Sequence, residues 1–128
     1  MPPFQPERLV VVSLWASDVP TTAHFYRDVL GLPLLPHHGL QPAFDLGHGA
    51  HLVLNEGQPG AVLDSKRSRF PTVAFAVRDL DRAVENLEQH GVDLPWGVEA
   101  SDQACWIVFS DPAGNLVELV QFEESLES

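Results

Sequence analysis

The nine residues Asp111–Leu119 read DPAGNLVEL and join a turn to a strand near the end of the 128-residue chain. Proline suits the second position of a turn, while Gly114 and Asn115 tolerate positive φ. Apolar runs on either side predict strands at Cys105–Ser110 and Leu116–Phe122. The stretch therefore predicts a β-hairpin whose second strand carries one carboxylate, Glu118.

Working back from this hairpin, the chain contains a weak internal repeat. Val11–Gly31 matches Thr72–Gly91 at an offset of 61, with one extra residue in the first copy. Each copy runs in the order apolar strand, aspartate, amphipathic helix, glycine. A repeat covering about half the chain indicates a duplicated supersecondary unit.

Each copy predicts the same series of elements. The first strands are Leu9–Ala16 and Pro71–Val77, and Asp18 and Asp79 are suited to cap the helices that follow. Gly31 and Gly91 are suited to end those helices. Further strands are expected at Leu32–Pro36, Pro42–Leu46 and His51–Asn55 in the first copy, and at Val92–Val98 and the two hairpin strands in the second. We expect an α+β fold of two βαβββ modules: module one at 8–55, a linker at 56–70, and module two at 71–122, all in one domain spanning 1–128.

Composition and charge limit the classes of partner that this protein is expected to bind. The net charge of −11 argues against nucleic acid and favours cationic or neutral ligands. No apolar run is long enough to span a membrane, the N-terminus does not resemble a signal peptide, and Cys105 is the lone cysteine. These features predict a cytoplasmic protein without membrane or nucleic-acid partners.

Two phrases resemble the vicinal oxygen chelate superfamily, the glyoxalase, bleomycin-resistance and extradiol-dioxygenase group. They are the FYRDVLGL phrase at 25–32 and the DPAGNLVEL phrase at 111–119. The resemblance implies two modules whose strands curve into an open, U-shaped mixed sheet around a cavity, and it implies a homodimer. In metal-dependent members, four strand positions hold a divalent cation that the substrate chelates through two adjacent oxygens.

Carried onto this sequence, the four ligand positions of the family fall on Val11, Val53, Thr72 and Glu118. Valine donates nothing, a neutral threonine hydroxyl is a poor ligand, and one carboxylate does not hold a catalytic metal. We therefore expect no metal and no other cofactor. A two-residue slip of one strand would bring His51 to a ligand position, since i and i+2 share a face, and a divalent metal bound by Glu118 and His51 is the alternative.

Strand alternation predicts which residues line the cavity. Trp15 could stack on a flat ligand, and Glu118 could recognise a ligand or, if the protein is an enzyme, serve as the catalytic base. The predicted ligand-binding residues are Val11, Ser13, Trp15, His51, Val53, Thr72, Ala74, Trp106 and Glu118.

Two functions of different classes remain open. The first is a small-molecule-binding protein, similar to bleomycin-resistance proteins, which lacks a complete metal site and sequesters its ligand. The second is a metal-dependent glyoxalase- or dioxygenase-type enzyme: a lyase, isomerase or oxygenase. The vacant ligand positions and the acidic charge favour the first.

Overall fold

The computed structural model describes residues 6, 8–36, 41–58 and 71–123. They form an α+β fold with two helices and two mixed sheets of three and four strands, so the predicted fold class is confirmed. The chain divides into two compact units, Met1–Gly57 and Gln58–Ser128, which hold module one and module two. No helix of the described residues is long and apolar enough to cross a membrane.

The sheet of module one has three strands. They are β1 (Val11–Ala16), β2 (Ala43–Gly47) and β3 (Ala50–Glu56), in the spatial order β1-β3-β2. β1 runs parallel to β3, and β2 and β3 form an antiparallel pair. Since a parallel pair needs a crossover, the helical segment between β1 and β2 belongs to that connection.

The crossover begins with α1 (Val19–His24) and continues as a π-helical turn at Phe25–Val29. The Asp18 carboxylate accepts a hydrogen bond from the Thr21 backbone N–H at 3.1 Å, so the predicted cap is present. The turn buries Tyr26 completely, and its ring lies against Phe25 and Phe44. These contacts attach the crossover to the sheet.

Module two contains the complete predicted order of elements. It comprises β4 (Val73–Ala76), α2 (Leu80–Gln89), β5 (Glu99–Ala100), β6 (Ala104–Ser110) and β7 (Leu116–Phe122), with sheet order β4-β7-β6-β5. β4 and β7 are parallel, whereas β6 pairs with β7 and β5 with β6 in antiparallel fashion. The Asp79 carboxylate caps α2 by accepting from the Arg82 N–H at 3.2 Å.

The turn between β6 and β7 is organised by the Asp111 carboxylate. One oxygen accepts from the backbone N–H groups of Ala113 and Asn115, and the other accepts from the Asn115 side-chain amide, all at 2.9 Å. Gly114 lies at φ +98°, where a side chain would be strained. The turn chemistry of the DPAGN sequence therefore fixes the hairpin.

Two predicted strands are wrong. Leu32–Pro36 makes only an isolated bridge, Leu34 to Phe44. The Pro33 carbonyl accepts a hydrogen bond from Asp45 of β2, but Pro33 has no N–H with which to extend the ladder. Val92–Val98 contains no strand; a turn at Pro95 and Trp96 interrupts it, and the Gly97 N–H bonds to the Leu94 carbonyl. Pairing starts only at Glu99.

Other sequence-based predictions fall outside the described residues. These include most of the linker, at 59–70, and the last five residues, at 124–128. The division into one domain with a linker at 56–70 stays a prediction.

Candidate functional site

In module two, Glu118 lies in the interior of the sheet, on β7. It pairs with Ala74 of β4 on one side and with Val108 of β6 on the other. Directly paired residues share a face, and every second residue along a strand returns to it. Gln121 lies three residues further along β7 and therefore points to the opposite face of the sheet. Its side chain accepts a hydrogen bond from the Leu80 N–H at the start of α2, so Glu118 points away from α2.

We call the face that carries Glu118 the helix-distal face of module two, and several residues of the sheet point to it. They include Ala74, Ala76, Glu99, Trp106, Val108, Leu116, Glu118 and Val120. Three predicted ligand-binding residues, Ala74, Trp106 and Glu118, therefore share one surface. Cys105 is paired with Gln121 and therefore lies on the face that carries α2.

The Glu118 side chain is half-buried, and its environment raises the pKa of its carboxyl. Burial is the main cause, because desolvation penalises the charged form. Repulsion from the Glu99 carboxylate adds to it. A carboxyl with a raised pKa is suited to hold or accept a proton.

Thr72, another predicted site residue, is exposed and precedes β4. Its hydroxyl donates to the Leu116 backbone carbonyl at 2.7 Å, and its N–H bonds to the same carbonyl at 2.8 Å. The side chain therefore holds β4 against β7, a structural role that the sequence pattern did not predict.

In module one, cross-strand rows define the corresponding helix-distal face. Phe44, which contacts Tyr26 of the crossover, marks the helix side. The residues that point to the opposite face form three rows of cross-strand neighbours: Val11–His51–Asp45, Ser13–Val53–Ala43 and Trp15–Asn55. All five predicted ligand-binding residues of module one, Val11, Ser13, Trp15, His51 and Val53, lie on this face.

Trp15 is 52% exposed at one end of this face. Gly57 lies directly against its indole ring: a Cβ added at Gly57 would lie 2.5 Å from ring atom Cε3. Contacts that short do not occur, so the ring occupies its position because residue 57 has no side chain.

Both modules use the same strand register, and this identifies equivalent positions. Ser13 pairs with Val53 in module one, as Ala74 pairs with Glu118 in module two. Ser13 and Ala74 are related by the 61-residue offset of the repeat. Val53, and not His51, is therefore the counterpart of Glu118, whereas His51 pairs with Val11.

The donor atoms at the four family positions do not fit a divalent metal. Module one supplies two valines, which have no donor atoms. Module two supplies the Glu118 carboxylate and the Thr72 hydroxyl, whose proton is already donated to a backbone carbonyl. Within the part of the chain that the structure describes, no group of three or more His, Cys, Asp or Glu side chains could hold a metal ion.

A cleft of about 500 Å³ lies elsewhere in module one, on the helix side of the sheet. Its described lining consists of Ser17, Asp18, Val19, Pro20, Gln41, Pro42, Leu54 and Glu56. None of the predicted site residues lines it. Asp18 serves there as the helix cap, which accounts for one of its two carboxylate oxygens.

The family model that matches residues 8–119 is that of the Glyoxalase/Bleomycin resistance protein/Dioxygenase superfamily. The chain belongs to this superfamily. The resemblance drawn from the FYRDVLGL and DPAGNLVEL phrases is confirmed.

Several solved structures share its fold. A glyoxalase/dioxygenase from Nostoc punctiforme has a TM-score of 0.80 at 20% identity, covering 97% of both chains. An antibiotic-binding protein from Streptomyces sp. CB03234 has a TM-score of 0.73 at 22% identity, covering 94% of this chain and 99% of that one. A lactoylglutathione lyase from Agrobacterium tumefaciens has a TM-score of 0.70 at 23% identity, covering 91% and 95%. These likenesses show the fold alone, because one superfamily fold hosts both binding proteins and enzymes.

Sequence reasoning missed three residues of these faces: Asp45, Glu99 and Gly57. Asp45 could have been found by alternation from Ala43 once β2 was placed, because both lie on one face. Glu99 belongs to a two-residue strand, which is too short to be recognised from alternating apolar and polar residues. The close approach of Gly57 to Trp15 is a tertiary contact without a local sequence signal.

Proposed function

We propose that this superfamily member binds and sequesters a small organic molecule without a divalent metal at the positions of the family's metal site. One observation carries the proposal: the counterpart of Glu118 in module one is Val53. The remaining two positions, Val11 and Thr72, add no free strong ligand. A divalent cation bound by protein side chains needs about three strong nitrogen or oxygen donors.

The helix-distal faces suit an organic ligand in composition. Small-molecule sites are mostly apolar and aromatic, with a few polar groups that fix the orientation of the ligand. The face of module one combines Trp15 and two valines with His51, and that of module two combines Trp106 and alanines with Glu118. This composition supports recognition of a ligand without requiring chemistry.

The first test is elemental metal content. Untagged protein, purified without chelator, is dialysed against Ni²⁺, Zn²⁺, Mn²⁺ or Fe²⁺ and then against metal-free buffer. We expect less than about a tenth of an equivalent of each metal to be retained, because the donor set is incomplete. Near-stoichiometric retention that is lost in Glu118→Gln and in His51→Ala would replace the proposal with the metal-dependent lyase, isomerase or oxygenase.

A thermal-shift screen of small molecules in the presence of EDTA then tests binding itself. Ligands that stabilise the protein under these conditions support metal-free binding, since a ligand of the native state raises the melting temperature by mass action. A screen in which every stabilising compound loses its effect in EDTA contradicts the proposal.

A metal-free enzyme using Glu118 as catalytic base is a second candidate, favoured by the raised pKa of its carboxyl. Its test is the pH profile of any turnover observed with a bound ligand. A rate that rises as Glu118 ionises and disappears in Glu118→Gln favours the enzyme, whereas a ligand recovered unchanged favours sequestration.

The proposed setting is a cytoplasmic homodimer with a small-molecule ligand and no nucleic-acid partner. The acidic charge supports the last point, because nucleic-acid binding depends on clustered basic residues. Sedimentation equilibrium on the full chain tests the dimer, and a single species of monomer mass across the concentration range contradicts it.

A further inference from the structure

We propose that the helix-distal face of module one binds an alkylamine that carries an aromatic group, with the aromatic group on Trp15 and the alkylammonium group at Asp45. The proposal names the ligand class for metal-free binding and therefore rests on the proposed function. It depends on three features of one sheet face: an exposed indole, an apolar middle and a carboxylate at the far end.

The aromatic end is pre-organised. The Trp15 ring is half exposed and lies against the backbone of Gly57, which leaves no room for a side chain at position 57. An aromatic surface held in place before binding costs little side-chain entropy when a flat ligand stacks on it. Stacked or edge-on aromatic pairs add about 0.5–1.5 kcal/mol beyond the area that they bury.

The polar end is the pair of Asp45 and His51 on neighbouring strands. Asp45 of β2 lies directly opposite His51 of β3. One Asp45 oxygen, Oδ1, accepts from the Gly47 N–H at 2.8 Å, which fixes the orientation of the carboxylate. Both side chains are half-buried, so an ion pair formed with Asp45 is screened less than one in open water.

The distance between the two ends sets the length of the ligand. Along β1, Trp15 lies four residues from Val11, the residue in the row of Asp45, or about 13 Å at the usual rise of ~3.3 Å per residue. Asp45 is two strands away from β1, or about 10 Å across the sheet. A ligand that reaches both ends spans about 16 Å, and Ser13 and Val53 lie between them.

Charge complementarity favours an amine over an acid. The chain carries a net charge of −11, and Asp45 is the carboxylate on this face. The Arg8 guanidinium lies against Gly49 in the β2–β3 turn.

The probes are a dansyl series: dansyl-ethylenediamine, dansyl-cadaverine and dansyl-1,8-diaminooctane, each with its N-acetylated, uncharged analogue. Binding to the full-length protein is followed in EDTA by dansyl fluorescence. We expect the longest amine to bind tightest, because only it spans both ends. Its acetylated analogue should bind roughly 1.5- to fivefold more weakly, the range for a partly screened ion pair.

Four variants locate the interaction. Asp45→Asn should weaken the octane amine to the level of its acetylated analogue and abolish the dependence on spacer length. Trp15→Ala should weaken every probe roughly tenfold, whereas Trp15→Phe should retain most of the affinity. Gly57→Ala should displace the indole and weaken every probe, with a changed near-UV spectrum but an unchanged far-UV spectrum. The matched controls, Asp102→Asn for Asp45 and His48→Ala for the β2–β3 hairpin, should bind like the parent protein.

Two outcomes overturn the inference while leaving the proposed function intact. One is affinity that is lost in Glu118→Gln but not in Asp45→Asn, which would place the probe on module two. The other is failure of all the probes to bind, although other compounds stabilise the protein in EDTA. Probe binding that occurs only with added divalent metal instead contradicts the proposed function.

Discussion

Asn115 donates two hydrogen bonds to the Asp111 carboxylate, one from its backbone N–H and one from its side-chain amide, each 2.9 Å long. Both residues are buried, and the Asp111 N–H in turn bonds to the Asn115 carbonyl at 2.9 Å. This closed pair stands at the start of β7, the strand that carries Glu118. The DPAGN phrase by which the superfamily is recognised therefore has a structural role, positioning the strand that follows.

Asp111→Ala should destabilise the protein by about 2–3 kcal/mol, because it leaves buried N–H donors of the turn without an acceptor. Urea unfolding followed by circular dichroism measures the change. Asp102 is an exposed residue in the loop before β6 and serves as the control. Asp102→Ala should change the free energy of unfolding by less than ~0.5 kcal/mol. Equal effects of the two substitutions would show that the turn network contributes nothing.

The helix cap of α2 gives a second prediction. Asp79→Ala should cost about 1 kcal/mol, the usual value for removing a side-chain acceptor at the N-cap. Asp81, in the first turn of the same helix, is exposed and serves as the matched control. Asp81→Ala should cost less, since it removes only a favourable interaction with the helix dipole. The midpoints of urea unfolding compare the variants, and the reverse order would contradict the assigned cap.

The core of module one gives a third prediction. Phe44 is completely buried and contacts Tyr26, so Phe44→Ala should cost about 3–5 kcal/mol through lost transfer energy and an unfilled cavity. Val98, 53% exposed, is the control, and Val98→Ala should stay within ~0.5 kcal/mol of the parent. Thermal unfolding provides the measurement. A small loss at Phe44 would mean that the crossover does not pack on β2.

The pH dependence of Glu118 gives a fourth prediction. Its pKa is raised in the folded protein, so between the ordinary glutamate pKa of 4.5 and the higher folded pKa the native state binds more protons than the unfolded chain. Stability therefore falls as pH rises through that window. Glu118→Gln should remove this loss: the variant gains stability relative to the parent above the window, and the gain disappears below pH 4.5.

Glu99→Gln separates the two causes of that shift. It should lower the pKa of Glu118 partly, because burial remains and only the repulsion is removed. Carboxyl ¹³C chemical shifts followed through a pH titration measure the pKa directly. An unchanged Glu118 titration in Glu99→Gln would show that the two carboxylates do not interact.

Much of the fold was predictable because its signals are local. Both caps, Asp18 and Asp79, and the turn at Asp111 depend on hydrogen bonds within four residues. The strand prediction failed where proline and glycine chemistry outweighed apolar composition, at Leu32–Pro36 and Val92–Val98. There the apolar residues were read as strand although the backbone lacked donors or turned at Pro95.

The candidate site was predictable only in part. Alternation along β1 and β3 correctly grouped Trp15, Ser13 and His51 on one face, because side-chain direction in a strand has a period of two. Their role in binding stays a prediction. Asp45 and Glu99 come from other strands, so their places beside His51 and Trp106 depend on strand register.

By itself, the sequence determined the superfamily, the duplicated strand–helix pattern and the lack of donor atoms at Val11 and Val53. These properties belong to single residues or to short segments whose hydrogen bonds are local. The tertiary structure decided that Val53 is the counterpart of Glu118, that Asp45 lies beside His51, and that Trp15 lies against Gly57. Each of these relationships joins different strands or a strand and a loop, so it exists only after strand register and packing have brought distant parts of the chain together.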